Sequence, residues 1–114
     1  MKAEERAAQI WSVLALAARN RQVLTYGMVS DLIGVPKPGL GQLLEPIQSY
    51  CLVHELPPLT ILVVQEGTGL PGSGFIAAQD IPATQSQVFA HDWLGRGAPS
   101  PADFAEAVRT RPSS

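Results

Sequence analysis

The sequence predicts an α+β fold that is mainly α-helical, and three features of the chain support this prediction. Residues 3–20 are rich in alanine and contain neither glycine nor proline, which favours a helix. Prolines and glycines then divide the chain into short segments. Residues 59–64 are apolar and rich in β-branched side chains, a composition that favours a strand.

Two helices are expected in the first part of the chain. The first spans residues 3–20, where apolar side chains repeat at helical spacing and acidic residues occupy the first turn. A short second helix is expected at residues 26–33, because Thr25 is a typical N-cap and Gly34 a typical terminating glycine. A turn that contains two prolines and a glycine, residues 35–39, follows.

A third helix is expected from Leu40 to His54. Pro46 lies inside this segment and removes one backbone donor, so we expect a kink or a break near Gln42. The buried stripe of this helix is expected to consist of Leu40, Leu43, Leu44, Ile47 and Cys51.

The rest of the chain predicts a β-hairpin and two more helices. The strand at residues 59–64 is followed by a glycine-rich loop at 66–74 and by a returning strand at 75–78. Further helices are expected at residues 82–94 and 101–109, the second of which begins with a Ser-Pro-Ala-Asp start signature.

This order of elements predicts a winged helix-turn-helix with additional C-terminal helices. The helix that begins at Leu40 would be the second helix of the helix-turn-helix pair. The glycine-rich loop is either a wing that contacts nucleic acid or a flexible hairpin tip. We expect one domain over residues 1–110 and a disordered tail at residues 111–114.

The charge balance of the chain makes binding to nucleic acid less expected. Eight Lys and Arg residues stand against ten Asp and Glu residues, which gives a net charge of −2, whereas domains that bind nucleic acid usually carry a basic patch. The single Cys51 cannot form an internal disulfide, and no apolar run resembles a signal peptide or a membrane helix. We therefore expect a cytoplasmic protein without a membrane partner.

Five segments, taken in order, resemble parts of one family. They include the Leu-Thr-Tyr-Gly start of the second helix and a Phe-Ala-His-Asp-Trp run, and they lie at residues 24–34, 35–37, 57–64, 72–75 and 89–93. They are similar to the C-terminal domain of alkylguanine-DNA alkyltransferases and of their catalytically inactive alkyltransferase-like relatives. The resemblance implies a winged helix that binds DNA.

The chemistry of that family does not carry over to this chain. The family's reactive cysteine lies in a Pro-Cys-His-Arg-Val-Val run, where a thiolate beside a His accepts the alkyl group. With Val63 and Val64 taken as the closing valines, we place Ile61 at the cysteine position and Leu62 at the histidine position. Residues 38–41, which match the start of the recognition helix, contain no arginine to hold a flipped base out of the stack. We therefore expect no enzymatic activity.

Seven residues are candidates for contact with DNA. Gln pairs with adenine, Ser contacts phosphates or bases, and Lys and Arg neutralise phosphates. An aromatic residue at the start of a helix either contacts DNA or simply packs there. The candidates are Tyr26, Lys37, Gln42, Gln48, Ser49, Arg19 and Arg21.

Cys51 and His54 form a Cys-x-x-His pair within the third helix. One helical turn places such a pair on the same face, but no second cysteine and no clustered histidine complete a set of four ligands. We interpret Cys51 as a core residue and His54 as a helix-end group. No metal and no cofactor are expected.

Two functions remain open on the sequence. The first is a non-enzymatic DNA-binding or regulatory module that resembles a catalytically inactive alkyltransferase-like domain. The second is a protein–protein interaction module, either a homodimer or an adaptor. The acidic balance and the apolar residues Trp11 and Leu70, which we expect to be exposed, favour this alternative.

Overall fold

The computed structural model describes residues 2–72, 80–95 and 97–111, which form five α-helices, two short 3-10 helices and two strands. This confirms the prediction of an α+β fold that is mainly helical. The helices are α1 (Ala3–Arg19), α2 (Tyr26–Ile33), α3 (Leu40–Val53), α4 (Ile81–Ala90) and α5 (Pro101–Thr110), and the strands are β1 (Leu24–Thr25) and β2 (Val63–Val64).

The caps of α2 are those that the sequence predicts. The Thr25 hydroxyl accepts a hydrogen bond from the Met28 N–H at 3.1 Å, which satisfies a backbone donor of the first turn. Gly34 ends the helix with a φ of 79°, a left-handed conformation that glycine adopts without steric cost. Both ends of α2 are therefore fixed by local sequence.

Pro46 does not interrupt α3, so of the kink or break expected near Gln42, the break does not occur. The helix continues from Leu40 to Val53 with Pro46 inside it. The proline side chain is buried, as are most residues of the predicted apolar stripe, while Leu43 is half-buried. Packing against the core offsets the loss of one helical hydrogen bond.

The centre of the core is Trp11 of α1, which is 1% exposed. Its ring centroid lies 5.4 Å from those of Tyr50 and Trp93 and 5.8 Å from that of Phe104, in edge-to-face or tilted arrangements. Trp11 therefore joins α1, α3 and α5, and our expectation that it is exposed is wrong. Leu70, by contrast, is exposed as expected.

The segment predicted as a strand at residues 59–64 is mostly a 3-10 helix. Leu59–Leu62 form that helix, in which the Ile61 N–H donates to the Pro58 carbonyl at 3.1 Å. All four of its side chains are buried, whereas a strand on one face of a sheet alternates between core and solvent. The packing of α1, α3 and α4 around the segment explains the difference.

Only the last two residues of that segment, Val63–Val64, form a strand, and they pair with β1 in parallel. Val63 lies opposite Leu24, and Val64 lies opposite Thr25. The chain then reverses, because Val64 makes an antiparallel bridge with Pro71. The returning strand predicted at residues 75–78 lies outside the described residues, so the hairpin stays a prediction.

The C-terminal helices differ from the prediction at their ends. Helix α4 ends at Ala90 rather than at residue 94, and Trp93 follows it with its indole N–H donating to the Val88 carbonyl at 2.8 Å. Arg111, expected to begin a disordered tail, instead donates to the Ser49 hydroxyl at 3.2 Å. Within the described ranges, no helix is long and apolar enough to cross a membrane.

Candidate nucleic-acid interface

A cleft of about 760 Å³ lies where α2, α3 and the loop after β2 meet. Its walls come from the start of α2, the 3-10 turn Lys37–Gly39, the first half of α3, the buried segment before β2 and the turn after it. The polar residues that line it are Tyr26, Lys37, Gln42, Glu45, Gln48, Thr60, Gln65 and Glu66. The cleft thus gathers polar groups from parts of the chain that are far apart in sequence.

Four of the seven DNA-contact candidates line this cleft: Tyr26, Lys37, Gln42 and Gln48. Gln48 is only 9% exposed, and it reaches the cleft from a position largely within the core. Because these residues lie on different elements, their convergence could not be read from spacing alone.

The other three candidates lie elsewhere. Ser49 was selected as a contact to DNA, but it is fully buried and accepts a hydrogen bond from Arg111, so it is not on the surface that such a contact requires. Arg19 lines a separate, smaller cleft of about 130 Å³ beside α4. Arg21 is exposed and lines neither cleft.

Tyr26 both packs against the core and lines the cleft, so the two interpretations of this residue are compatible. Burial raises the pKa of its phenol, and a hydrogen bond from the Gly72 backbone opposes this by a smaller amount. The phenol is therefore protonated at neutral pH and has a proton to donate. A Cβ atom at Gly72 would overlap the Tyr26 hydroxyl, which shows how closely the two residues approach.

Glu66 links Gly27 to Lys37 at the rim of the cleft. One carboxylate oxygen, Oε1, accepts from the Gly27 N–H at 2.7 Å, and the other, Oε2, accepts from the Lys37 ammonium at 3.1 Å. The Gly27 N–H and, after it, Lys37 hold the pKa of Glu66 below its ordinary value. The local sequence around Glu66 indicates no role for it, because its partners lie far away along the chain.

Thr60 provides a buried hydroxyl at the cleft. It is 3% exposed, it lines the cleft, and its Oγ1 makes no hydrogen bond to any of the residues that the structure describes. A buried hydroxyl without a partner is costly, so a bound polar group would find a favourable contact here.

Thr60 also corrects the alignment with the alkyltransferase run. Counting back from Val63 and Val64 through Pro-Cys-His-Arg-Val-Val puts Thr60, not Ile61, at the cysteine position and Ile61, not Leu62, at the histidine position. Of these residues, Thr60 lines the cleft, while Ile61 and Leu62 are fully buried and do not. Neither cysteine nor histidine occurs among the described residues that line the cleft.

Cys51 and His54 lie outside this cleft. Cys51 is buried in the core, and His54 is the exposed C-cap of α3, with its ring 4.2 Å from that of Tyr50. Among the described parts of the chain, no group of three or more His, Cys, Asp or Glu side chains is placed to hold a metal ion.

Comparison with known proteins assigns no family to the chain. No protein-family model matches it, and neither a curated protein nor a solved structure does so. Its function must be inferred from the residues of the cleft and their geometry.

Proposed function

We propose that this chain is a non-enzymatic DNA-binding module with a winged-helix architecture, similar to a catalytically inactive alkyltransferase-like domain. The observation that supports this most strongly is the convergence of Tyr26, Lys37, Gln42 and Gln48 on one cleft. Each was selected from the sequence for a chemical reason, and the fold brings them together from two helices and the turn between them.

The chemistry of these four side chains suits a nucleic acid. Lys37 neutralises a phosphate, and the glutamine amides Gln42 and Gln48 offer a donor and an acceptor to base edges. The Tyr26 phenol donates to a phosphate oxygen or stacks on a base. Helix α3 supplies both amides, as the second helix of a helix-turn-helix pair does.

The volume of the cleft favours an unstacked nucleotide over an intact base pair. A volume of about 760 Å³ lies within the ~300–1,000 Å³ range of small-molecule sites. The buried Thr60 hydroxyl would then meet a polar group of the base. Because residues 38–41 provide no arginine to hold a base out, the protein would select DNA in which a base is already unpaired.

The charges around the cleft predict weak binding. Lys37 is paired with Glu66, and the whole chain carries a net charge of −2. Few phosphates are neutralised in such a complex, so its affinity falls modestly with salt rather than steeply.

The proposal is tested by fluorescence anisotropy with two labelled duplexes of the same sequence, one fully paired and one with a single unpaired base. We expect saturable binding of the second at low salt and weaker binding of the first, since unstacking costs a few kcal/mol in a paired duplex. Equal affinity for both duplexes would count against the cleft as a base site, and no binding to either would overturn the DNA-binding function.

A second function is favoured by one apolar feature of α2. Met28 and Leu32 lie one helical turn apart, and the two residues are 49% and 64% exposed. This pair suits a protein–protein interaction module, either a homodimer or an adaptor, that does not bind nucleic acid. Sedimentation of the wild type and of Leu32→Gln distinguishes the cases, because a dimer formed through α2 would dissociate in the variant.

A further inference from the structure

The Glu66 carboxylate accepts hydrogen bonds from the Gly27 N–H and the Lys37 ammonium, and these two donors are placed to bind an anion. The Gly27 N–H belongs to the first turn of α2, where backbone N–H groups have no helical partner and the helix dipole favours negative charge. The Lys37 ammonium adds a full positive charge beside it. A phosphate oxygen is bound by the same kind of donor pair.

The turn that carries Glu66 is built independently of this contact. The Gln65 N–H donates to the Leu70 carbonyl at 2.8 Å, and the Gln65 side-chain amide donates to the Pro71 carbonyl at 3.1 Å. The backbone at this point is therefore fixed by its own hydrogen bonds. The Glu66 side chain is about half exposed, at 48%, so it can rotate into solvent without a change in the fold.

The same cleft has room for a ligand beyond the carboxylate. Thr60 lines it with a buried hydroxyl that bonds to none of the described residues. Glu66 satisfies the donors at the rim but leaves this hydroxyl without a partner, which points to a larger polar ligand that enters when the rim opens.

We propose that Glu66 is an autoinhibitory acid, whose carboxylate occupies in the unbound protein the position that a ligand phosphate takes between Gly27 and Lys37. Binding then exchanges one anion for another: the carboxylate rotates out, and the phosphate accepts from the same N–H and the same ammonium. This inference rests on the proposed function in so far as the phosphate belongs to DNA.

The first test compares the DNA affinities of the wild type, Glu66→Gln and the matched control Glu55→Gln by fluorescence anisotropy. Both variants change the net charge by the same amount, but Glu55 lies after α3 and does not line the cleft. We expect Glu66→Gln to bind roughly three- to tenfold more tightly than Glu55→Gln, and with a steeper salt dependence, because Lys37 gains a phosphate. Equal affinities of the two variants would overturn the autoinhibitory role.

The second test uses inorganic phosphate and does not depend on DNA. The backbone amide resonance of Gly27 is followed by NMR as phosphate is added to the wild type and to Glu66→Gln. A saturable shift in the variant that is absent or much weaker in the wild type supports the proposal. The same response in both proteins, or none in either, overturns it.

Together, the two tests distinguish DNA from a small phosphate compound as the ligand. They also distinguish a failure of the anion site from a failure of the proposed function. A Gly27 response to inorganic phosphate without DNA binding by any variant would uphold the anion site, overturn the proposed function and identify a small phosphate compound as the ligand. DNA binding that is the same in Glu66→Gln and Glu55→Gln would leave the proposed function standing and overturn the inference.

Discussion

The Tyr26 phenol and the Gly72 backbone are in direct contact, and this contact joins the start of α2 to the end of the turn after β2. A side chain at Gly72 would occupy the space of the hydroxyl, and a hydrogen bond from the Gly72 backbone partly opposes the rise that burial causes in the pKa of the phenol. Tyr26 is also packed against the core. The position of one wall of the cleft therefore depends on the absence of a side chain at Gly72.

Gly72→Ala is expected to lower the free energy of unfolding by about 1–3 kcal/mol, since either Tyr26 or the turn must move. Urea unfolding measures the change. Gly67→Ala is the matched control, because a Cβ there meets no atom within 4 Å. Adding Tyr26→Phe to Gly72→Ala removes the overlapping oxygen and should recover part of the loss. An equal effect of both alanine variants would contradict the contact.

Trp11 is expected to be the most sensitive position on α1. Trp11→Phe leaves a cavity among Tyr50, Trp93 and Phe104, and we expect it to lower the free energy of unfolding by about 1–3 kcal/mol. Leu16→Ala on the same helix serves as the control, because Leu16 is 56% exposed and should cost much less. Thermal and urea unfolding compare the two variants, and a larger effect at Leu16 would contradict the assigned core.

The helices of the first half of the chain were predictable because their signals are local. Thr25 and Gly34 act within one turn of the backbone, so their residue types alone indicate where α2 begins and ends. The predictions that failed concern residues whose surroundings come from distant parts of the chain. Residues 59–62 have the composition of a strand but are packed among α1, α3 and α4. Ser49 is buried and bonded to Arg111, which lies 62 residues away along the chain.

Four residues of the candidate site were predictable from the sequence, but its geometry was not. Residue type identified Tyr26, Lys37, Gln42 and Gln48, while only the fold shows that they share a cleft. Glu66 was not predictable, because its partners, Gly27 and Lys37, lie 39 and 29 residues away along the chain.

Thr60→Val is expected to weaken DNA binding without lowering the stability of the fold. Valine has nearly the shape of threonine, and the hydroxyl that it removes bonds to none of the described residues, so the free energy of unfolding should stay the same or rise slightly. The affinity for the duplex with an unpaired base should fall by roughly three- to tenfold, the effect of one lost hydrogen bond. A marked loss of stability with unchanged DNA affinity would show that the hydroxyl serves the fold instead.

Glu66 is expected to stabilise the fold in a pH-dependent manner. Its pKa in the folded protein is held below the ordinary value of 4.5, first by the Gly27 N–H and then by Lys37. The stabilisation that Glu66 contributes is therefore complete when the pH is above 4.5. It is lost as the pH falls through the lower pKa of Glu66 in the folded state. The difference in unfolding free energy between the wild type and Glu66→Gln should stay constant near neutral pH and shrink at acidic pH.

Urea unfolding at a series of pH values measures this difference, and Glu55→Gln again provides the control. A wild-type advantage over Glu66→Gln that grows as the pH falls has the wrong sign and would contradict the assigned partners of Glu66. A change of the same size in both variants would mean that net charge, not the Gly27 and Lys37 contacts, determines the effect.

DNA binding through the cleft is tested by the affinity of Lys37→Glu for a duplex with one unpaired base, measured by anisotropy over a range of salt concentrations. Lys2→Glu is the control, since it makes the same charge change at the N-cap of α1, outside the residues that line the cleft. We predict that Lys37→Glu loses most of its affinity for this duplex and that its affinity depends less on salt, by the amount expected for about one lost phosphate contact. Lys2→Glu should bind nearly as the wild type does. Equal losses in both variants, or none in Lys37→Glu, would contradict DNA binding through this cleft.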